Sequence, residues 1–231
     1  MAEEPEYMIC TSKDGSVCIG CELGDDLNCR YDEDLVKCFR NRHLPFRAFG
    51  LLVMALASYY SGLYWAFLLF ALVTILNFVM IETYYLCRHC PFYEKKSGSL
   101  ECITLKGLPR IWKFDPSPIS RTSRLAMSLV GGFIDVFPLL VGAYATWVLF
   151  SIGADIILIL MMAGLTVLFL AAAGYLEKFI GENYCTRCVN LSCMMNKVSD
   201  ETKQAYLEKN PELLKIWESC GYALGDETIQ E

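Results

Sequence analysis

The sequence predicts an all-α integral membrane protein, with four transmembrane helices arranged as two hairpins, an internal repeat and a cysteine-rich cytoplasmic cap. Three observations predict it: two long apolar blocks nearly free of charge, a break inside each block, and twelve cysteines that avoid both blocks. The chain is 231 residues long, 55% hydrophobic, with a mean hydropathy of +0.35. That is too apolar for an ordinary soluble domain, and the apolar residues gather between Phe46 and Leu86 and between Leu125 and Leu176. Charge-poor stretches of this length are the standard sign of membrane spans.

Residues 1–43 form an N-terminal cysteine-rich segment, polar and acidic at its start (Glu3, Glu4, Glu6). A secretory signal would instead begin with a basic region followed directly by an apolar core, so none is expected. Residues 44–86 form the first hairpin. Ala48 to Ile81 carries no charge, and as one helix it would run about 50 Å against a hydrocarbon core of about 30 Å. The break is placed at Ser61-Gly62, where Tyr59, Tyr60, Tyr64 and Trp65 suit a membrane–water interface. This gives spans over 44–60 and 63–86. Residues 125–176 form the second hairpin, with Ser151 to Asp155 as its turn.

Orientation follows from the basic residues. The intervening loop, 87–124, holds Arg88, Lys95, Lys96, Lys106, Arg110, Lys113, Arg121 and Arg124, whereas the two hairpin turns hold no lysine or arginine. By the positive-inside rule the N-terminus, this loop and the tail, 177–231, face the cytoplasm. The net charge of −6 argues against a nucleic-acid partner, which would need a basic face. The expected surroundings are the lipid bilayer and a redox or other protein partner at the cytoplasmic face.

Ten cysteines fall into three groups: Cys18, Cys21, Cys29 and Cys38; Cys87, Cys90 and Cys102; and Cys185, Cys188 and Cys193. Each group opens on C-x-x-C, a spacing that aims two soft sulfurs at one ion. Stable disulfides are rare in the cytoplasm, so paired cysteines there point to metal or redox chemistry. The first group has enough ligands for a closed zinc site. The later two have three each, so each needs a further ligand, or Cys87, Cys90, Cys185 and Cys188 close one site together. They read as a repeat, each pair following a hairpin, preceded by an aromatic and enclosing an arginine. Cys90-Pro91 and the run 185–193 also resemble iron–sulfur ligation. Zinc or an iron–sulfur cluster is therefore the expected cofactor. Cys10 and Cys220 stand apart and read as ordinary small apolar residues.

The stretch Cys87-Arg-His-Cys-Pro-Phe-Tyr, with Leu100-Glu-Cys102, Gly107-Leu-Pro, Trp112-Lys and Cys185-Thr-Arg-Cys-Val-Asn, resembles an uncharacterised group of four-span, cysteine-rich prokaryotic membrane proteins. The resemblance covers about residues 44–220 and implies a fold and no particular activity. More distantly, the chain is similar to membrane subunits of quinol-oxidising systems, whose cytoplasmic motif is C-x3-C-P where this chain has C-x2-C-P.

Neither histidine, His43 or His89, lies in a predicted span, so a b-type haem with axial histidines between helices is not expected. His89 sits inside a knuckle, where middle residues point away from a metal. Asp135 lies within the third span with Pro138 one turn on, and Asn77 in the second span is its candidate partner. A carboxylate at that depth faces the bundle interior. It reads first as an interhelical hydrogen bond and second as a site for protons or quinone. The tail reads as two short helices over 200–221, with Asn210 capping the second, Pro211 starting it, and Leu213, Leu214, Ile216 and Trp217 as its docking side. No nucleotide-binding, nucleophile-elbow or metalloprotease motif is present. Three functions remain: a metal protein carrying electrons or anchoring a redox partner, a structural or regulatory zinc protein, and thiol–disulfide exchange.

Overall fold

A computed structural model describes residues 7, 9–11, 20–94 and 99–222. Helix α1 spans Glu33–Ser61, α2 Tyr64–Leu76, α3 Glu82–Tyr85, α4 Arg121–Ser151, α5 Ile156–Asn183, α6 Asp200–Glu208 and α7 Pro211–Ser219. A short antiparallel pair, β1 (Ser99–Glu101) and β2 (Lys106–Pro109), interrupts the middle loop. Four helical stretches are long and apolar enough to cross a membrane: Glu33–Ser61, Tyr64–His89, Arg121–Ser151 and Ile156–Arg187. The protein is an integral membrane protein by that measure.

The helices outrun the apolar blocks that announce them. Helix α1 starts eleven residues before the expected 44, because the Asp32 carboxylate accepts the Asp34 and Leu35 amides at 2.8 and 3.2 Å and so caps it. Glu33 and Asp34 then suit its positive end. Between α2 and α3, residues Asn77–Ile81 wind as a π-helix, a local insertion into the helical ladder. The turn between α4 and α5 lies where the sequence places it. Gly153 takes φ +67°, its amide bonds to Phe150 O and that of Ala154 to Leu149 O, closing α4 in a Schellman motif. The Asp155 side chain then accepts the Ile157 amide at 2.8 Å and caps α5.

The chain forms two compact units. The helical unit comprises Cys38–Ile81 and Leu125–Phe179. Its interior is made of Val53, Met54, Ala57, Ala145, Leu149, Met162 and Phe169, all essentially fully buried. Phe46 stacks on Phe169 at 5.2 Å, and Gly50 lets that ring approach the backbone of α1. Thr166 comes against Gly142 closely enough that a methyl group there would clash, the small-residue contact on which membrane helices pack. Leu68, Leu72, Leu129, Leu140, Trp147, Ile157, Leu160 and Val167 face outward and exposed. That apolar rim suits lipid rather than water. The hydroxyls of Thr146, Ser151 and Thr166 donate to the carbonyls of Gly142, Trp147 and Met162, one turn back in the same helix.

The second unit comprises Met1–Lys37, Glu82–Arg124 and Ile180–Glu231. Its core is Ile9, Leu27, Phe92, Leu100, Ile119, Val189, Tyr206, Leu207 and Trp217. Side chains that reach the backbone of distant segments fasten it together. Buried Glu94 accepts the amides of Tyr7 and Ile9 at 2.7 and 3.3 Å. Tyr184 Oη donates to Leu35 O at 2.8 Å, and Trp217 Nε1 to Pro116 O at 3.0 Å. Helices α6 and α7 form where the tail was expected to be helical, and Leu213 and Trp217 are buried with Leu214 and Ile216 half-buried. Asn210 stands at the N-cap of α7 and Pro211 starts the helix, as expected. Its side chain makes no cap bond to α7, because it accepts the Cys10 amide at 2.7 Å and donates to Tyr206 O at 2.7 Å.

Candidate metal centre

Two of the C-x-x-C pairs sit in the second unit, each directly after a helix, and their backbones are nearly superimposable in angle. Leu86 has φ −116°, ψ −56° and Tyr184 has φ −119°, ψ −47°. Each leads into a 3-10 turn, Cys87–His89 and Cys185–Arg187. The turn then opens into extended backbone at Cys90 (φ −85°, ψ 134°) and Cys188 (φ −83°, ψ 128°). The entering bonds match as well: Leu86 N to Glu82 O and Tyr184 N to Ile180 O, both 2.9 Å. The exit bonds, His89 N to Leu86 O and Arg187 N to Tyr184 O, are both 3.2 Å.

Cys102 Sγ accepts the Leu105 amide at 3.2 Å and lies 3.4 Å from the Thr104 hydroxyl, and beyond Cys193 the Asn196 amide returns to Cys193 O at 2.9 Å. Cys102 reaches its place on the β1–β2 connection and Cys193 on a short loop, which is why their spacings from the knuckles differ.

The two halves adjoin. Asn190 Nδ2, two residues past Cys188, donates to Leu86 O, one residue before Cys87, at 3.1 Å. Cys90, Cys102, Cys188 and Cys193 lie near enough that ionising one disfavours ionising another. Cys185 is within the same range of Cys188 and Cys193. Loss of solvent around the sulfur is the largest influence on these thiols. It pushes Cys188 up to about 12 and Cys193 up to about 11, and raises Cys90 and Cys102; neighbouring thiols add to this at Cys90, Cys188 and Cys193, and nearby backbone amides oppose it. Glu82, which the sequence reading passed over, also bears on Cys87, Cys102 and Cys193. Its signal was its place one helical turn before a knuckle. With the side chains as they stand, no three His, Cys, Asp or Glu groups among the described residues close on a single ligating point.

The remaining candidates lie apart in character. Cys18 falls outside the described residues. Cys21 Sγ accepts from Lys209 Nζ at 3.5 Å, and Cys29 shares the surroundings of the Tyr206 hydroxyl with Cys10 and Cys90. Cys38 belongs to the helical unit, where its sulfur accepts from Arg42 at 2.7 Å. Cys220 is exposed.

His89 has both ring nitrogens engaged, Nδ1 with Ser117 O at 2.9 Å and Nε2 accepting from Arg88 Nε at 3.2 Å. It orients the first knuckle rather than facing a ligand. In the helical unit Asp135 is half-buried, within reach of the charges of Arg47 and Glu177. Asn77 is buried at the start of the π-helix, and its Oδ1 has no hydrogen-bond partner. The pairing expected between Asn77 and Asp135 is not among the bonds formed. Comparison of the chain with family models, curated proteins and solved structures returns no match.

Proposed function

We propose that the protein is a membrane-anchored metal–thiolate protein whose two repeated knuckles hold soft metal ions on the cytoplasmic side, presenting them to a redox or other protein partner. The observation that carries this reading is the repeated knuckle backbone of Cys87–Cys90 and Cys185–Cys188, joined where Asn190 Nδ2 donates to Leu86 O at 3.1 Å. The sulfurs of Cys90 and Cys188 are desolvated, and a bound cation supplies the charge that a thiolate needs in such surroundings. Thiol–disulfide exchange fits less well, because it needs an accessible thiol with a lowered pKa, whereas these sulfurs are desolvated and their pKa values raised.

Metal analysis of anaerobically purified protein, with its absorption spectrum, tests the reading. Stoichiometric metal is expected. Colourless protein with zinc identifies a structural or regulatory centre, and brown protein with iron and sulfide an electron carrier. Protein free of metal, with all its thiols titratable, overturns the proposal. Exposed Cys220 reports the orientation: a membrane-impermeant thiol reagent should leave it unlabelled in intact cells and label it after permeabilisation.

A further inference from the structure

Along α1, Leu44, Ala48, Leu52, Ala55 and Tyr59 are exposed and recur every three or four positions, so they form one stripe down the helix. Leu44, Leu52 and Tyr59 leave 64%, 50% and 65% of their surface uncovered, and the two alanines leave shallow gaps between them. Exposed Arg40 and half-buried Arg47 stand about two turns apart on one edge of the stripe, at its N-terminal end. We infer that this end of α1 binds an anionic phospholipid, its phosphate held by Arg40 and Arg47 and an acyl chain lying on the stripe. The inference rests only on the membrane-spanning character of α1 and is independent of metal binding.

Depth places the arginines at the right level. From Arg40 to Tyr59 the helix runs about 29 Å at 1.5 Å per residue, close to the hydrocarbon thickness of about 30 Å. With Tyr59 at one interface, where tyrosine is favoured, Arg40 falls at the phosphate level of the other. Arg47 starts about 10 Å deeper, where a charge is costly unless it snorkels outward or meets a counter-charge. Helical side chains lean toward the N-terminus, and Arg47 Nε accordingly donates to His43 Nε2, one turn back, at 3.3 Å. That lifts its guanidinium toward the headgroups.

Charge and hydrogen bonding select the ligand. Between Leu35 and Ser61 the helix carries no acid. Asp135 of α4 lies within reach of the Arg47 charge, but Arg40 makes no hydrogen bond or ion pair with any described residue. Arg42 is engaged elsewhere: it donates to Cys38 Sγ at 2.7 Å and lies 4.2 Å over the Phe179 ring. Pro45, inside the helix, has no amide hydrogen, so Asn41 O lacks its helical donor. That carbonyl, one residue after Arg40, can accept from a headgroup hydroxyl. Two cations and one acceptor above an apolar stripe match phosphatidylglycerol.

Full-length protein in detergent is titrated with phosphatidylglycerol or phosphatidylcholine of the same acyl chains, and the first bound lipid is followed by native mass spectrometry. Phosphatidylglycerol should bind about tenfold or more tightly, since one interfacial base contributes about fivefold. Arg40→Gln and Arg47→Gln should each weaken it about fivefold and leave phosphatidylcholine unchanged. Lys215→Gln, which removes an exposed charge from α7, should alter neither. An equal loss in Lys215→Gln, or no loss in Arg40→Gln, would overturn the site. So would displacement of the lipid by an equal concentration of glycerol phosphate, because a soluble anion has no chain to lie on the stripe. On the unmutated protein, a photoreactive phosphatidylglycerol should crosslink within residues 40–48. Crosslinks confined to other segments would overturn the proposal without any variant having to fold.

Discussion

Around Cys87–Cys90 the backbone is held by charged and aromatic side chains, whereas around Cys185–Cys188 the same turn is held chiefly by neutral amides. At the first, Arg88 lies 4.0 Å above the Tyr84 ring and pairs with Asp115 at 3.4 Å. The Asp115 amide returns a bond to Arg88 O at 2.9 Å, and Trp112 packs on Tyr84 while donating to Thr83 Oγ1. At the second, Asn196 Nδ2 donates to Cys188 O at 2.8 Å and Asn190 O at 3.1 Å, and its Oδ1 accepts the Val198 amide. Arg187 contributes outward, to the carbonyl of Asp25. One backbone shape thus has two independent means of support. The shape is what the chain keeps, and its stabilisation responds to different conditions in each copy.

The largest effect expected from this contrast is at Asn196. Asn196→Ala removes three hydrogen bonds and takes from Cys188 O its side-chain donor, while Asn190 O keeps the Cys193 amide, a loss of about 1–3 kcal/mol. Thermal unfolding in detergent should show it, with little dependence on salt. A loss that shrinks in high salt would mean the second clamp is electrostatic after all. Asn190→Ala comes next. It cuts the bond between the halves at Leu86 O and should cost about 1 kcal/mol, with metal affinity falling more than stability if the halves share ions.

Asp115→Asn should have the smallest effect, below about 1 kcal/mol and diminishing with added salt, because the ion pair is partly exposed. Its pH dependence sharpens the comparison. Burial opposes the Asp115 charge, but two hydrogen bonds from Ser117 with the charges of His89 and Arg88 outweigh it and hold the carboxyl below its ordinary value. A depressed native pKa stabilises above the unfolded value, near 3.9, and that contribution fades as pH falls through the native one. Amide exchange below about pH 4 should therefore quicken around Arg88 before it does around Arg187. Equal quickening in both knuckles would break the distinction.

The membrane spans were legible because charge is so costly in hydrocarbon that its absence marks them. Their ends were not, because a polar turn capped by Asp32 continues a helix with no apolar signal. The C-x-x-C pairs were plain in the sequence, and so was the likeness of their flanks. Cys102 and Cys193 were legible as the third members of the two groups, although they lie twelve and five residues past their knuckles. Asn190, Asn196 and Asn210 were unreadable in their roles. Their partners are carbonyls and amides, which every residue carries.

The hold that Asn210 keeps on Cys10 has a consequence for the chain as it is made. The two residues are 200 positions apart, and at about 5–20 residues per second roughly 10–40 s of synthesis separate them. Glu94, which fixes Tyr7 and Ile9, is made midway through that interval. The segment around Tyr7 to Cys10 thus meets its partners in two stages, first Glu94 and much later Asn210. Arrest of translation between the two knuckles would leave a nascent product with half a set of sulfurs and with Cys10 lacking the partner that Asn210 supplies.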